Sequence, residues 1–515
     1  MLVHTLLEQS CRNYPEKEAL WFRGSWMIYR EIEDQANRIG QFLVNEGLTR
    51  GDRVVLLLEN SFAFVCAYFG ILKAGGVVVG LNTEITAEDL EYLVVNSDAG
   101  FLFIDENRLH LFEAVRKNLA GLKRVVLNGV SDVPAGFAAV PLSLVLEKSS
   151  PEPPDVWVID LDLAEIVYTS GSTGVPKGVM LTHLNLVSNM RSIVEYFSLT
   201  PEDRMMVILP FTYIYGKSLL LSHVMIGGSL VIDNRFTFPN SILETMRKTS
   251  VTGFAGVPST YSILLSRSSL RKQEFPSLRY VSQAGGHMAV SLAKEVKEAF
   301  SPAELWVMYG ATEAAPRLSY LHPSMLDAKL GSIGTPVPNV DLFVADEEGK
   351  PLATGEEGEI VARGSNIMKG YWKDPDGTAE VLKNGLYFTG DLGKADDDGY
   401  IFIVGRKKDI IKVKGFRVSA KEIEERLLEL DGVIEAAVIG VPDPVLGEAV
   451  KAFVVLQEAS SLDEQEVLRR LQPHLSAFKL PKQIEFRKEL PKNKSGKIMK
   501  SLLSAAEAEG SKARQ

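Results

Sequence analysis

At 515 residues, the chain is longer than one ordinary core organises, and domain sizes point to about three units, or one large and one small. Its composition, 46% hydrophobic and 24% charged, is that of a globular protein and excludes a disordered or fibrous one. Lys and Arg total 56 against 66 Asp and Glu, a net charge of -10, which argues against a nucleic-acid or anionic-membrane surface and makes any phosphate binding local.

The opening MLVHTLLEQSCRNYPEKE lacks the basic region and long apolar stretch of a signal peptide. Cys11 and Cys66 are the only cysteines and no CxxC occurs, so a reducing cytoplasm is the expected location. The longest apolar tract, 62–81, is interrupted by Lys73 and Gly75-Gly76; it predicts a helix entering a buried VVVG strand, not a membrane span. Through the first 400 or so residues, β-rich runs (RVVLLLEN, GFLFI, MMVILP, GSLVI, LRYVSQAGG, ELWVMYG) alternate with helical patterns or Gly/Pro punctuation, as parallel α/β sheets require. Between Gly334 and Tyr400 the turn signals EEGK and DDDG separate short strands, which predicts an antiparallel, barrel-like piece. Beyond Arg406, the helices SAKEIEERLLEL and DEQEVLRRLQ alternate with the strands VIEAAVIGV, AVKAFVVL and QIEFR, the pattern of a small α+β domain. The expected fold is therefore α/β: a large N-terminal domain of parallel α/β sheets with the antiparallel piece, plus a small α+β C-terminal domain.

The run YTSGSTGVPKG, 168–178, concentrates glycines, hydroxyls and one lysine. A Walker loop needs four residues between its glycines and Ser/Thr directly after the lysine. Here Lys177 follows Gly174 by three and Gly178 comes next, so this is not that loop. Glycines still let backbone N–H groups approach oxyanions, and Thr169, Ser170, Ser172 and Thr173 add donors.

In order and spacing, YTSGSTGVPKG, GVPSTYSILL (256–265), YGATE (309–313), GEIVARGSNIMKGYW (358–372), YFTGD (387–391), GRKKDIIKVKGFRVSAKEIE (405–424) and PKNKSGKIMK (491–500) resemble the adenylate-forming superfamily of acyl-CoA synthetases, peptide-synthetase adenylation domains and firefly-type luciferases. The resemblance implies an adenylation core over 1–404, a mobile domain over 405–515 and a hinge near Lys408. It implies that a carboxylate attacks ATP to give acyl-AMP and pyrophosphate, and that a thiol, of CoA or of a carrier protein's phosphopantetheine, then takes the acyl group. It places the leaving phosphates on Thr169, Ser170, Gly171, Ser172, Thr173, Gly174 and Lys177, and Mg²⁺ on Glu313 and Thr169. Gly285, Gly286, Tyr309, Gly310 and Thr312 match the adenine and α-phosphate slot, and Asp391 and Arg406 the ribose clasp. Lys497 matches the lysine that reaches both reacting groups during adenylation. For the second half-reaction, Lys412, Lys414 and Gly415 match the face that turns inward, with room for a pantetheine arm.

The chain departs from the pattern of acyl-CoA-forming members at PFTYIYG, where Tyr213 replaces the usual histidine near the acyl carbonyl, and at His287, where many relatives carry a small residue. The stretch from Met205 to Ile232 holds no Asp or Glu to pair with an α-ammonium group, which disfavours a free amino acid and favours a fatty or other apolar acid. Lys217 and His223 in that stretch are expected to be structural, and Lys492, Lys494 and Lys500 solvated. The expected activity is that of an AMP-forming acyl-CoA synthetase. The alternative is an acyl- or aminoacyl-AMP ligase that loads a free carrier protein. A luciferase-like oxygenase is disfavoured because SKARQ is not a peroxisomal SKL address. No nucleic acid and no membrane span are expected, and a homodimer is compatible with the chain.

Overall fold

A computed structural model describes residues 1–130, 139–169, 176–413, 416–443, 446–457, 460–492 and 498–512. Two large sheets form the N-terminal part. In the first, six parallel strands (Glu18–Phe22, Ser229–Ile232, Arg204–Val207, Gly253–Gly256, Tyr280–Gln283 and Glu304–Gly310) lie side by side. Beyond Glu304–Gly310 the pairing turns antiparallel, through Arg317–Leu321, Ser332–Pro336, Ile401–Arg406, Leu386–Ala395, Gly358–Gly364 and Val340–Ala345. The piece expected as barrel-like is thus antiparallel but does not stand apart. Ser332–Pro336 pairs with both Arg317–Leu321 and Ile401–Arg406, so the parallel sheet simply runs on into it.

The second sheet centres on the parallel strands Val77–Gly80, Arg53–Leu57, Ala99–Asp105 and Arg124–Asn128, and carries the antiparallel hairpin Leu163–Thr169 and Lys177–Thr182 toward one edge. The helices Phe62–Lys73 and Ile214–Ile226 are apolar nearly all round and mostly buried, as such helices must be. Their few charges are neutralised in place. Lys73 pairs with Glu8 and Glu33, both at 2.7 Å, and Lys217 pairs with Glu165 at 2.9 Å with its ammonium 3.9 Å from the centre of the Tyr68 ring. His223 is buried against Leu219 O. Lys217 and His223 are thus structural groups, as their apolar context suggests.

The C-terminal part is a separate sheet of Phe416–Ser419, Ile410–Val413, Gly447–Leu456, Val433–Asp443 and Gln483–Arg487. Ile423 and Leu427 of the helix Ala420–Leu428 and Val467 and Leu471 of Glu464–Leu471 fill one core, and Leu503 belongs to a second with Ala437 and Phe453. This smaller α+β unit follows the large sheet domain as the order of elements predicts. Among the described residues no helix is long and apolar enough to cross a membrane.

Candidate active site

The parallel strands of the first sheet end on one side, and ligand crevices of open α/β sheets form at such carboxyl ends. Two of these ends carry motif residues. Tyr280–Gln283 runs into Gly285-Gly286, where Gly285 has φ +82° and the Gln283 side chain holds Gly286 O at 2.6 Å. Glu304–Gly310 ends in a register shift at Tyr309/Gly310, and a Cβ on Gly310 would lie 1.9 Å from Pro316 O. Only glycine allows that approach, and it aims the following Thr312 and Glu313 out of the sheet.

The antiparallel extension supplies the opposite wall. Asp391 and Arg406 face each other across neighbouring strands, and Arg406 Nε donates to Asp391 Oδ1 at 2.7 Å. The Tyr309 hydroxyl donates to the other oxygen, Oδ2, at 2.6 Å. Burial, with Asp391 beside it, pushes the Tyr309 hydroxyl well above the ordinary phenol range and keeps it a donor; the Asp391 charge raises Arg406. Asp391 is itself buried and retains lone pairs for two hydroxyls of a ligand.

A second constellation forms where Gly370–Tyr371 joins the edge of the other sheet by pairing with Lys177–Thr182. The Tyr371 hydroxyl donates to Glu313 Oε1 at 2.8 Å, and the Lys177 ammonium sits 4.9 Å from the centre of the Tyr371 ring. Lys177 also pairs with Asp374 at 2.9 Å, which holds the Asp374 carboxyl below its usual range. Thr169 is the cross-strand partner of Lys177, the last pair of the hairpin before the connecting residues. A carboxylate and a lysine therefore meet at one tyrosine, with Thr169 beside the lysine. Sequence reasoning quoted GYW but gave Tyr371 no role; its signal was a large aromatic in a two-residue strand joining two motifs.

The remaining expected positions are less concentrated. Tyr213 precedes the helix Ile214–Ile226, and its hydroxyl accepts from the Asn82 side chain at 2.9 Å. His287 turns toward the C-terminal unit, with Nε2 2.8 Å from Glu425 of Ala420–Leu428. Lys421 on the same helix donates to Ile403 O, so two contacts seat that helix on the large domain. Lys408 lies in the single turn Lys407–Asp409 between two strands. Lys412 is exposed, its backbone N–H donating to Glu448 at 2.6 Å. Lys492 and Lys500, expected to be solvated, each hold an ion pair, with Glu435 and with Glu424. Ser170, Gly171, Ser172, Thr173, Gly174, Lys414, Gly415, Lys494 and Lys497 lie outside the described residues.

Known proteins match this arrangement along nearly the whole chain. The AMP-binding enzyme model matches residues 7–372, and the AMP-binding enzyme C-terminal domain model matches 422–497. The chain belongs to the AMP-binding enzyme family. A long-chain-fatty-acid–CoA ligase of Salmonella typhimurium is 33% identical over 524 residues, covering 96% of this chain and 92% of the relative. A feruloyl-CoA synthase of an Amycolatopsis species is 34% identical over 493 residues, covering 95% and 96%. The crystal structure of ATP-bound MatB from Rhodopseudomonas palustris superposes with a TM-score of 0.88 at 32% identity, over 98% of this chain and 99% of that one. Within the family, this chain is an enzyme of the AMP-forming acid–thiol ligase class.

Mg²⁺ fits the residues present. Among the described residues no group of three His, Cys, Asp or Glu could cage a metal, but Mg²⁺ is commonly held by one or two carboxylates together with substrate phosphates. Glu313, oriented by Tyr371 beside Lys177, would be a hard oxygen ligand of that kind.

Proposed function

We propose that the protein activates a largely apolar carboxylic acid with ATP, releasing pyrophosphate, and passes the acyl group from acyl-AMP to the thiol of CoA. The observation that carries this reading is the pair of clusters at the end of Glu304–Gly310, Tyr309 with Asp391 and Arg406 and, four residues on, Glu313 with Tyr371 and Lys177. Asp391 accepts two ribose hydroxyls, and Arg406 holds the carboxylate aimed. Lys177 leaves Asp374 for the departing phosphates, with the backbone N–H groups and hydroxyls of Ser170 to Gly174 around them. Glu313 and Thr169 would hold Mg²⁺, which supplies positive charge at the phosphates. Both reactants of the first step are anions, so preorganised charge of this kind is what lowers the barrier.

The relatives named as CoA ligases and the ATP-bound neighbour support ATP and CoA as co-substrates. On this reading Lys497 serves adenylation, and rotation near Lys408, at the boundary between 1–404 and 405–515, brings Lys412, Lys414 and Gly415 to the thiol step, with Tyr213 near the acyl carbonyl. The test is a panel of carboxylic acids scored for AMP release, with CoA and a phosphopantetheinylated carrier protein as competing acceptors. AMP release that depends on acid and on CoA is expected. Transfer to the carrier alone would assign the acceptor to a partner protein, and release with no acid of the panel would overturn the reading.

A further inference from the structure

Arg317 opens the strand Arg317–Leu321, four residues after Glu313, and is 2% exposed. Its backbone is pinned on both sides. Its N–H donates to Asn189 Oδ1 at 2.9 Å, and its carbonyl accepts from Asn189 Nδ2 at 2.8 Å and Asn366 Nδ2 at 3.1 Å. The side chain therefore has a fixed origin, and its guanidinium ends 5.1 Å from the centre of the Tyr215 ring, with Tyr196 beside it. Its Nε has no hydrogen-bond partner, and no carboxylate of a described residue lies within ion-pairing distance.

Burying an unpaired cation costs several kcal/mol. The other deeply buried Lys and Arg among the described residues avoid that cost: Lys73 has Glu8 and Glu33, Lys217 has Glu165, and Lys451 has Glu485 and Glu507. Arg317 has two tyrosines. Cation–π contact with Tyr215 contributes roughly 0.5–2 kcal/mol and the Tyr196 hydroxyl takes a hydrogen bond from the guanidinium; neither is a two-pronged guanidinium–carboxylate pair, and the Nε donor stays unused.

The position of this cation relates it to the acyl end of the site. Tyr215 follows Tyr213 by two residues, and its hydroxyl bonds Ser282 Oγ at 3.1 Å, three residues before Gly285-Gly286. Arg317 is thus walled by the same two segments that carry the acyl-side Tyr213 and the glycine pair. It borders a small cavity of about 10 Å³ together with Ser218, Leu219, Tyr280, Ser282 and Met308. That volume is about one water, so a carboxylate enters only as lining side chains move aside.

We propose that Arg317 is a specificity-determining residue that pairs with a second carboxylate at the far end of the acid substrate, the end remote from the carboxyl that is adenylated. This rests on the acid-activating reading above. The substrate class is then a dicarboxylic acid with an apolar body, whose second charge supplies the partner the fold withholds from Arg317.

The test uses matched pairs, α,ω-dicarboxylic acids against n-alkanoic acids of the same carbon number and arylcarboxylic acids with and without a para-carboxylate. Each is scored as kcat/KM for pyrophosphate release by the wild type, Arg317→Leu and Arg317→Lys. A site built around a polar group rejects analogues lacking it by large factors. The wild type should favour the diacid by at least about a hundredfold in some pair; Arg317→Leu should abolish or invert that ratio while retaining the monoacid, and Arg317→Lys should restore part of it. Diacids should also raise the melting temperature of the wild type and not of Arg317→Leu. A wild type that prefers the monoacid in every pair overturns the inference, as do variants that lose both acids in proportion. If Arg317→Leu does not fold, the wild-type ratio decides alone. Turnover of monoacids with an unchanged ratio sinks only this inference, whereas failure of every acid sinks the activation reading and this one with it.

Discussion

Replacing Tyr371 with Phe removes one O–H and leaves the ring in place. That O–H donates to Glu313 at 2.8 Å, while the ring supports Lys177 at 4.9 Å, so the substitution separates the carboxylate's orientation from the lysine's. A hydrogen bond to a charged group contributes about 1.5–3 kcal/mol, and each 1.4 kcal/mol is about tenfold. Glu313 is only half-buried, so water replaces part of the bond and the lower end applies. Adenylation should fall about tenfold, expressed mainly as a higher Mg²⁺ requirement, with little change in KM for the acid. Tyr371→Leu also removes the aromatic face, worth roughly 0.5–1 kcal/mol to Lys177, and should raise KM for ATP a further two- to fivefold. The assay is pyrophosphate release across a Mg²⁺ titration, paired with CoA transfer from supplied acyl-AMP and a melting curve for each variant. Both variants should transfer normally. An unchanged Mg²⁺ dependence in Tyr371→Phe, or equal loss of both half-reactions at unchanged melting temperature, would refute the reasoning.

Lys217→Met leaves Glu165 buried without its cation and should cost about 3–5 kcal/mol in urea unfolding, most of it recovered in Lys217→Met/Glu165→Leu; equal stability of single and double variants would show that the pair is not coupled. Burial lowers His183 to about 3, His4 to about 4 and His223 to about 4. Because the unfolded imidazoles bind protons first, their contribution is complete above about pH 6.5 and is lost as pH falls toward 4, at about 1.4 kcal/mol per pH unit for each; a urea midpoint constant from pH 6.5 to 4.5 would contradict this. Lys497→Ala should lose adenylation by about a hundredfold to a thousandfold and keep transfer from supplied acyl-AMP, and equal loss of both steps would place the lysine elsewhere. Lys408→Pro, with φ locked near about −65°, should form acyl-AMP in a single turnover and transfer it slowly to CoA; transfer at the rate of Lys408→Ala would remove the hinge.

The sequence by itself determined which elements form and which chemistry they serve. The alternation of apolar runs with helical patterns reflects local periodicity, and the seven ordered motifs pointed to the family that the domain matches then showed. What a residue touches depends on where the chain returns, and that is not a local property. Tyr309 meets Asp391 82 residues away because the first sheet turns from parallel to antiparallel order, and Tyr371 meets Glu313 58 residues away because the edge of the second sheet comes against the end of Glu304–Gly310. The same holds for His287, whose partner Glu425 lies on the C-terminal unit, and for the barrel-like piece, whose short hairpin-linked strands do not by themselves show that they continue the parallel sheet. Arg317 is the sharpest case. In RLSYL it reads as the polar start of a strand, and only the packing of Tyr196, Tyr215 and Asn189 around it makes it a buried cation without an anion among the described residues.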